Sequence, residues 1–286
     1  MNTAVARSPE AADRPVVGRL APTPSGAIHL GNALAFGAAW LSARGAGGRL
    51  LLRIEDLDRG RARTEIANGQ RADLAWLGID WDEEVTPQSA RLYTLDGVPT
   101  YRCTCNRAAR LSHACPCRTL HRTSGGWRLH TPAGEVTFVD RARGPVTVVP
   151  EEDPVLMRAD GEAAYPLAVV VDDLRDGVTE VVRGADLLDA TASQMILYRC
   201  YGARTPTWLH VPLLLGPDGK KLSKSHGSVG IAELRAQGWT AERVWSVLLP
   251  CLGLEPTPLR DARLDPRRIP TGPLTVRGDG SIAPLG

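Results

Sequence analysis

The sequence has 286 residues, 43 % hydrophobic and 23 % charged, ample for a buried core in one large domain or two modest ones. A formal net charge of +2 excludes a uniformly basic surface, so any nucleic-acid contact must be a local patch. No stretch approaches the roughly 18 apolar residues of a membrane span, and residues 1–15 contain no signal-peptide core, which predicts a cytoplasmic protein with no membrane partner.

Residues 1–15 read as a flexible leader. "VVGRLAP" follows as a short buried strand, and the prolines and glycine of "PTPSG" force a loop. From His29 to about Arg44 apolar residues fall at helical spacing and stop at Gly45. "GRLLLRIEDLD" is a second strand, too apolar at its centre to be exposed, and "TEIANGQRADLAWLGI" a second helix capped by Thr64. Strand, helix, strand, helix predicts an α/β fold, a Rossmann-like doubly wound parallel sheet, with residues 16–84 as its first half.

Residues 85–135, rich in Cys, Arg, Pro and Gly, read as an inserted subdomain. "EVTFVDRARGPVTVV" and "PVLMRADGEAAYPLAVVVDD" carry strand-like patterning, with Ala159-Asp160-Gly161-Glu162 as a hairpin turn. "VTEVVRGADLL" is a strand, "ATASQMILYRCYG" a helix and "TWLHVPLLLG" a last strand, so residues 136–230 form the second half of the sheet domain. Residues 231–286 make a short C-terminal segment, expected to be a poorly ordered Pro/Gly/Arg tail from about Arg260 onward. No internal repeat is visible.

Two stretches carry phosphate-binding character. "APTPSGAIHLGN", Ala21 to Asn32, joins a strand to a helix start, where unpaired amides and the helix dipole favour an anion. "DGKKLSKSHG", Asp218 to Gly227, follows the last strand and therefore emerges at the same carboxyl edge of the sheet, where open α/β sheets bind ligands. His29-Leu30-Gly31-Asn32 and Lys221-Leu222-Ser223-Lys224-Ser225, in this order, resemble the two signatures of class I aminoacyl-tRNA synthetases. "GRLAPTPSGAIHLGN", "LLRIEDLD", "YPLAVVVDD", "VTEVVRGADLL" and "KKLSKSHG" narrow the resemblance to the glutamyl and glutaminyl branch, over about Gly18 to Gly227.

That resemblance implies ATP at Pro22, Ser25, Gly26, His29, Gly31, Asn32, Lys221, Ser223 and Lys224, and L-glutamate at Arg19, Ala21, Thr23, Glu55, Tyr165 and Arg183. Charge supports the second set independently. Glutamate carries two carboxylates and one ammonium, which two arginines and one carboxylate complement. The implied reaction is attack of the α-carboxylate on the α-phosphate of ATP, forming glutamyl-adenylate and pyrophosphate without a covalent enzyme intermediate. His29 and Lys224 are the catalytic candidates, stabilising phosphate charge together with Mg²⁺.

Cys103, Cys105, Cys115 and Cys117 crowd into one short stretch, which in a cytoplasmic chain points to one structural zinc rather than disulfides. By resemblance to truncated glutamyl-synthetase relatives the ligands are Cys103, Cys105, His113 and Cys117, with Cys115 competing with His113 for the fourth place. Cys200 and Cys251, in apolar surroundings, read as packing residues. Two departures from the family stand out: Trp81 to Cys103 is short and lacks an obvious helix, and Leu222 replaces a methionine of similar volume.

Only 61 residues follow Ser225, too few for an anticodon-binding domain. The chain therefore resembles the truncated relatives that attach glutamate to queuosine in the anticodon loop of tRNA(Asp), which implies ATP, L-glutamate and queuosine-bearing tRNA(Asp) as partners of a monomer. A catalytic fragment that charges a tRNA 3′ end, or a silent tRNA-binding paralogue, are the alternatives.

Overall fold

A computed structural model describes residues 14–106, 115–150, 152–220, 230–277 and 282–284. Strand β1 (Val17–Leu20) pairs in parallel with β2 (Arg49–Leu52), Val17 opposite Arg49, and β3 (Glu83–Glu84) extends β2 in parallel. Helices α1 (Leu30–Gly45) and α2 (Thr64–Trp76) supply the crossovers, as their 3.6-residue periodicity predicts. Thr64 does not cap α2. Arg63 occupies that position without a side-chain hydrogen bond, and Thr64 is the first helical residue.

Antiparallel strands β4 (Thr100–Cys103), β5 (Gly126–Leu129) and β8 (Val155–Met157) form a small separate sheet in the order β4-β5-β8. Between Trp81 and β4 lies a single 3-10 turn, Gln88–Ala90, and no α-helix. The second half of the main fold contains β6 (Val136–Asp140), β7 (Gly144–Val148), β9 (Glu180–Gly184) and β10 (Thr207–Val211), ordered β7-β6-β10-β9. β10 runs parallel to both β6 and β9, while β6 and β7 make an antiparallel hairpin. β1 lies beside β9: the Thr179 amide donates to the Val17 carbonyl at 2.9 Å, and Arg19 Nη1 reaches the Val182 carbonyl at 3.2 Å. The two halves thus abut along their central strands, which is the doubly wound α/β architecture the sequence predicts.

The stretch after the hairpin turn departs from expectation. The turn itself forms, with the Arg158 amide bonded to the Glu162 carbonyl at 2.8 Å and Gly161 at φ +88°. "YPLAVVVDDLR", read as strand-like, is instead helix α3 (Tyr165–Arg175). Pro166 in its first turn is preorganised for helix, and Leu167, Ala168, Val170 and Leu174 recur at helical spacing. Burial of that face outweighs the strand preference of three consecutive valines, a difference of tenths of a kcal/mol per residue. Helix α4 (Ala190–Cys200) follows β9 as expected.

The C-terminal segment is the second departure. After α5 (Ile231–Ala236) and α6 (Ala241–Leu248), the described residues beyond Arg260 are packed rather than loose. Leu259, Ala262, Ile269 and Leu274 join the core cluster that contains Leu20, Leu50 and Trp245. β12 (Leu274–Val276) adds in parallel to β11 (Leu214–Leu215), and β13 (Ile282–Pro284) pairs antiparallel with β12. Single apolar anchors between prolines leave no periodic signal, yet each buries enough surface to hold an irregular chain. Among the described residues no helix is long and apolar enough to cross a membrane.

α1 and α6 meet at a close approach that only glycine permits. A Cβ at Gly37 would stand 2.5 Å from the ring of Trp245, which is buried and donates from Nε1 to the Leu77 carbonyl at 2.7 Å. Gly37→Ala is expected to destabilise the protein by about 1–3 kcal/mol through this overlap, although alanine favours helix by about 1 kcal/mol. Urea denaturation measures the balance, and a stabilised variant would contradict the packing.

Candidate active site

A cavity of about 390 Å³ opens at the carboxyl ends of β1 and β9. Arg19, Ala21 and Thr23 reach it from β1 and the loop beyond; His29, Gly31 and Asn32 reach it from the start of α1. Glu55 comes from the segment after β2, Tyr165 from the first turn of α3, and Arg183 from β9. Residues up to 164 positions apart in the chain are therefore brought to one wall. Asp186 and Leu187, inside the stretch "VTEVVRGADLL", and Leu213 also line it, although none of the three stood out as a site residue in the sequence.

His29 caps α1. Its Nδ1 accepts from the amides of Gly31 at 3.1 Å and Asn32 at 3.3 Å, while Asn32 Oδ1 accepts from the His29 amide at 3.3 Å. The motif is thus a capping box that fixes the imidazole against the loop. Pro22, Ser25 and Gly26 do not line the cavity but shape the loop behind it. The Pro22 carbonyl accepts from the Glu55 amide at 3.0 Å, the Ser25 amide donates to the Thr23 carbonyl at 2.8 Å, and Gln70 Nε2 donates to the Gly26 carbonyl at 2.7 Å. Lys221, Ser223 and Lys224 lie outside the described residues. The residues flanking them approach the cavity: Leu214 lines it, and Gly230 forms a β-bridge with His29.

Beneath the cavity lies a charged network that the sequence did not disclose. Arg53, fully buried, donates from Nη2 to Asp173 at 2.7 Å and to Glu55 at 3.3 Å, and from Nη1 to Asp176 at 3.0 Å. Arg91 binds Asp172 at 3.0 Å and Asp176 at 2.9 Å, and Asp172 also accepts from Gln88 and Tyr93. Arg19 Nε stands 3.5 Å from Asp173. The helical phase of α3 puts Asp172 and Asp173 on the same side as the capping Asp176. An acidic pair closing an apolar run was the available signal, hidden by reading that run as a strand.

Arg183 differs from these arginines. Nε donates to His210 Nε2 at 3.1 Å, Nη1 to Gln194 Oε1 at 2.8 Å, and Nη2 to Thr191 Oγ1 at 2.8 Å and the Leu187 carbonyl at 3.2 Å. All these acceptors are neutral, and among the described residues it makes no ion pair. Burial accordingly holds its guanidinium below the usual arginine range. A buried cation without a carboxylate, at the wall of a cavity, can bind an anionic ligand.

At the end of β4 a second constellation forms. Cys103 and Cys115 Sγ are 3.5 Å apart, Cys105 and Cys117 3.6 Å, Cys105 and Cys115 3.8 Å, and all four lie within 4.8 Å of one another. None is a disulfide, whose sulfurs bond at about 2.05 Å. Four thiolates about 2.3 Å from a central ion would be spaced about 3.8 Å apart, so the set fits a tetrahedral metal. His113 lies outside the described residues, and Cys115 completes the group with the other three sulfurs. Cys251 is buried in the main core, and Cys200 packs against the second cluster.

Glu55 is stressed in this setting. Burial pushes its carboxyl up, against the pull of Arg53 and Arg19, with Asp173 adding to the rise. The folded state therefore holds the proton more tightly than the unfolded chain, and stability falls as pH rises from the ordinary carboxylate value to the raised one. Glu55→Gln is expected to raise the urea midpoint at neutral pH and to lose that advantage as pH falls toward about 4. A lower midpoint at neutral pH would count against a strained carboxylate.

Comparison with known proteins identifies the family and the fold. Residues 15–101 and 124–261 match the family described as tRNA synthetases class I (E and Q), catalytic domain. A Symbiobacterium thermophilum protein named Glutamyl-Q tRNA(Asp) synthetase is 41 % identical, over 94 % of this chain and 98 % of its own length. A Cereibacter sphaeroides protein named Glutamate–tRNA ligase 1 is 40 % identical over 82 % of this chain, which spans 56 % of that relative. The crystal structure of glutamate-tRNA synthetase from Elizabethkingia anophelis shares the fold, with a TM-score of 0.79 at 22 % identity over 93 % of this chain and 69 % of the other. The chain thus belongs to the catalytic-domain family of the class I glutamate and glutamine tRNA synthetases and is an enzyme of the aminoacyl-tRNA ligase type.

Proposed function

We propose that the protein activates L-glutamate with ATP and transfers the glutamyl group to queuosine in the anticodon loop of tRNA(Asp). The observation that carries the activation step is the convergence of Arg19, Glu55 and Arg183 on one cavity beside the capped start of α1. In this reading Arg19 and Arg183 take the two carboxylates of glutamate, Glu55 takes the ammonium, and Tyr165 closes the wall from α3. The acceptor is supported by a relative matched over almost its full length that bears the corresponding name.

A glutamate α-carboxylate oxygen bonds to the α-phosphorus of ATP, and the bond from that phosphorus to its bridging oxygen breaks, releasing pyrophosphate. The chain's contribution is positioning and charge. His29, held by its cap, presents the imidazole beside the phosphates, and Lys224 brings a cation from the segment after Lys220. Mg²⁺ bound with ATP spreads the phosphate charge. Queuosine then attacks the glutamyl carbonyl and AMP leaves. The four cysteines hold one structural zinc, with Cys115 in the fourth place rather than His113; a closed set of four thiolates has no open position for catalysis.

Glutamate-dependent exchange of pyrophosphate into ATP tests the first step, and its absence without tRNA would overturn this form of the reading. Lys224→Ala is expected to slow exchange by about 10- to 150-fold, the worth of one charge-assisted contact, while leaving the fold intact. Unchanged exchange would remove Lys224 from the mechanism. Glutamate transfer should require queuosine; equal transfer to tRNA(Asp) lacking it would point to 3′-end charging. Metal analysis should find one zinc per chain, kept by His113→Ala and lost by Cys115→Ser, and the reverse pattern would restore His113 as the ligand.

A further inference from the structure

His210 sits in β10, one residue before its carboxyl end, fully buried between one carboxylate and one guanidinium. On one side Asp140, also fully buried, accepts at Oδ2 from the His210 amide at 2.9 Å and from His210 Nδ1 at 2.8 Å. Its Oδ1 accepts from the amides of Ala142 at 2.9 Å and Arg143 at 3.0 Å, so the β6–β7 turn fixes this carboxylate. On the other side His210 Nε2 meets Arg183 Nε at 3.1 Å and Thr191 Oγ1 at 3.2 Å. Trp208 covers the pair, its ring nearly parallel to the imidazole and 5.0 Å from the Arg183 guanidinium.

The chemistry of the partners determines the proton. A carboxylate can only accept and a guanidinium can only donate, so Nδ1 must carry hydrogen and Nε2 must offer its lone pair. We infer that neutral, Nδ1-protonated His210 is a positioning residue for the amino-acid site, holding Arg183 in place while leaving its charge for the substrate. The reason for a neutral link is electrostatic. A carboxylate placed directly against Arg183 would fix it equally well but would neutralise the cation and compete with an incoming carboxylate. Here Asp140 orients the imidazole from its far edge, and only uncharged atoms touch Arg183. The charged groups around the imidazole are Asp140 from β6, Arg143 from the following turn and Arg183 from β9, while α4 contributes the uncharged Thr191. Burial and the two arginines oppose protonation, and Asp140 favours it.

The inference rests on the reading of Arg183 as a glutamate ligand, and the test separates the two. In His210→Asn the side-chain amide can take the place of Nδ1 and keep Asp140 satisfied, but no acceptor remains for Arg183. In His210→Gln the carbonyl can take the place of Nε2 and restore that acceptor. In the exchange assay His210→Asn is expected to raise the KM for glutamate by about 10- to 100-fold, with the KM for ATP changed by less than about 2-fold. His210→Gln should recover most of the loss. In an Arg183→Ala background, His210→Asn should add less than about 2-fold, because the interaction it disturbs is already gone. A glutamate KM unchanged in His210→Asn, or raised as much when Arg183 is absent, would overturn the positioning role. An Arg183→Ala variant with an unaltered glutamate KM would instead overturn the assignment of Arg183, and this inference with it. Nitrogen-15 spectra of the unaltered protein give a reading that needs no variant: a single neutral Nδ1–H tautomer is expected, and an Nε2–H or doubly protonated ring would refute it.

Discussion

Arg53 is a guanidinium with no contact with water, and the rest of the structure is arranged around that constraint. Removing such a cation from solvent is penalised by several kcal/mol unless carboxylates surround it. The carboxylates that meet it come from Glu55, two residues further along the segment after β2, from Asp173 on α3 and from Asp176, which caps the end of α3. Losing Asp173 or Asp176, which hold Arg53 at 2.7 and 3.0 Å, would strand a buried guanidinium, so the two halves of the chain are locked in one relative position. That lock places the end of β1 next to β9, and hence Arg19 opposite Arg183.

The site above this lock is not electrostatically at rest. Glu55 is pushed toward protonation by burial, and Arg183 is buried with only neutral acceptors in contact. Both conditions weaken the folded protein and both would be relieved by a ligand carrying an ammonium and a carboxylate. Stored strain of this kind is expected where binding, rather than stability, determines which residues are present. The contrast with Arg53 is instructive: the same residue type, also buried, is neutralised where acids surround it and keeps its charge uncompensated by contact where only neutral acceptors do.

Much of the fold was legible because local signals agreed with one another. The strand–loop–helix unit of residues 17–45 announced itself through two prolines, a glycine and a clean apolar period, and its cap at His29 was part of the motif. Arg19, Glu55 and Arg183 were legible only through resemblance, since an arginine or a glutamate at a strand end has no local mark of function. The helix of residues 165–175 was missed because three adjacent valines satisfy a strand pattern as well as a buried helix. With it went Asp172, Asp173 and Asp176, whose grouping exists only at helical spacing. The C-terminal segment was misread for a related reason, its anchors Ala262, Ile269 and Leu274 being too isolated to form a period.

By itself, then, the sequence determined the alternation of strands and helices, the two phosphate-type motifs, the crowded cysteines and the charge types available to a ligand, because each depends on residues adjacent in the chain. Only the tertiary structure decided which acids neutralise Arg53 and Arg91, that Cys115 joins the sulfur cluster, and that Arg183 is held by His210 rather than by a carboxylate. Those outcomes depend on distances between residues far apart in the chain, and on burial, which turns a charge that water would screen into one that must find its partner.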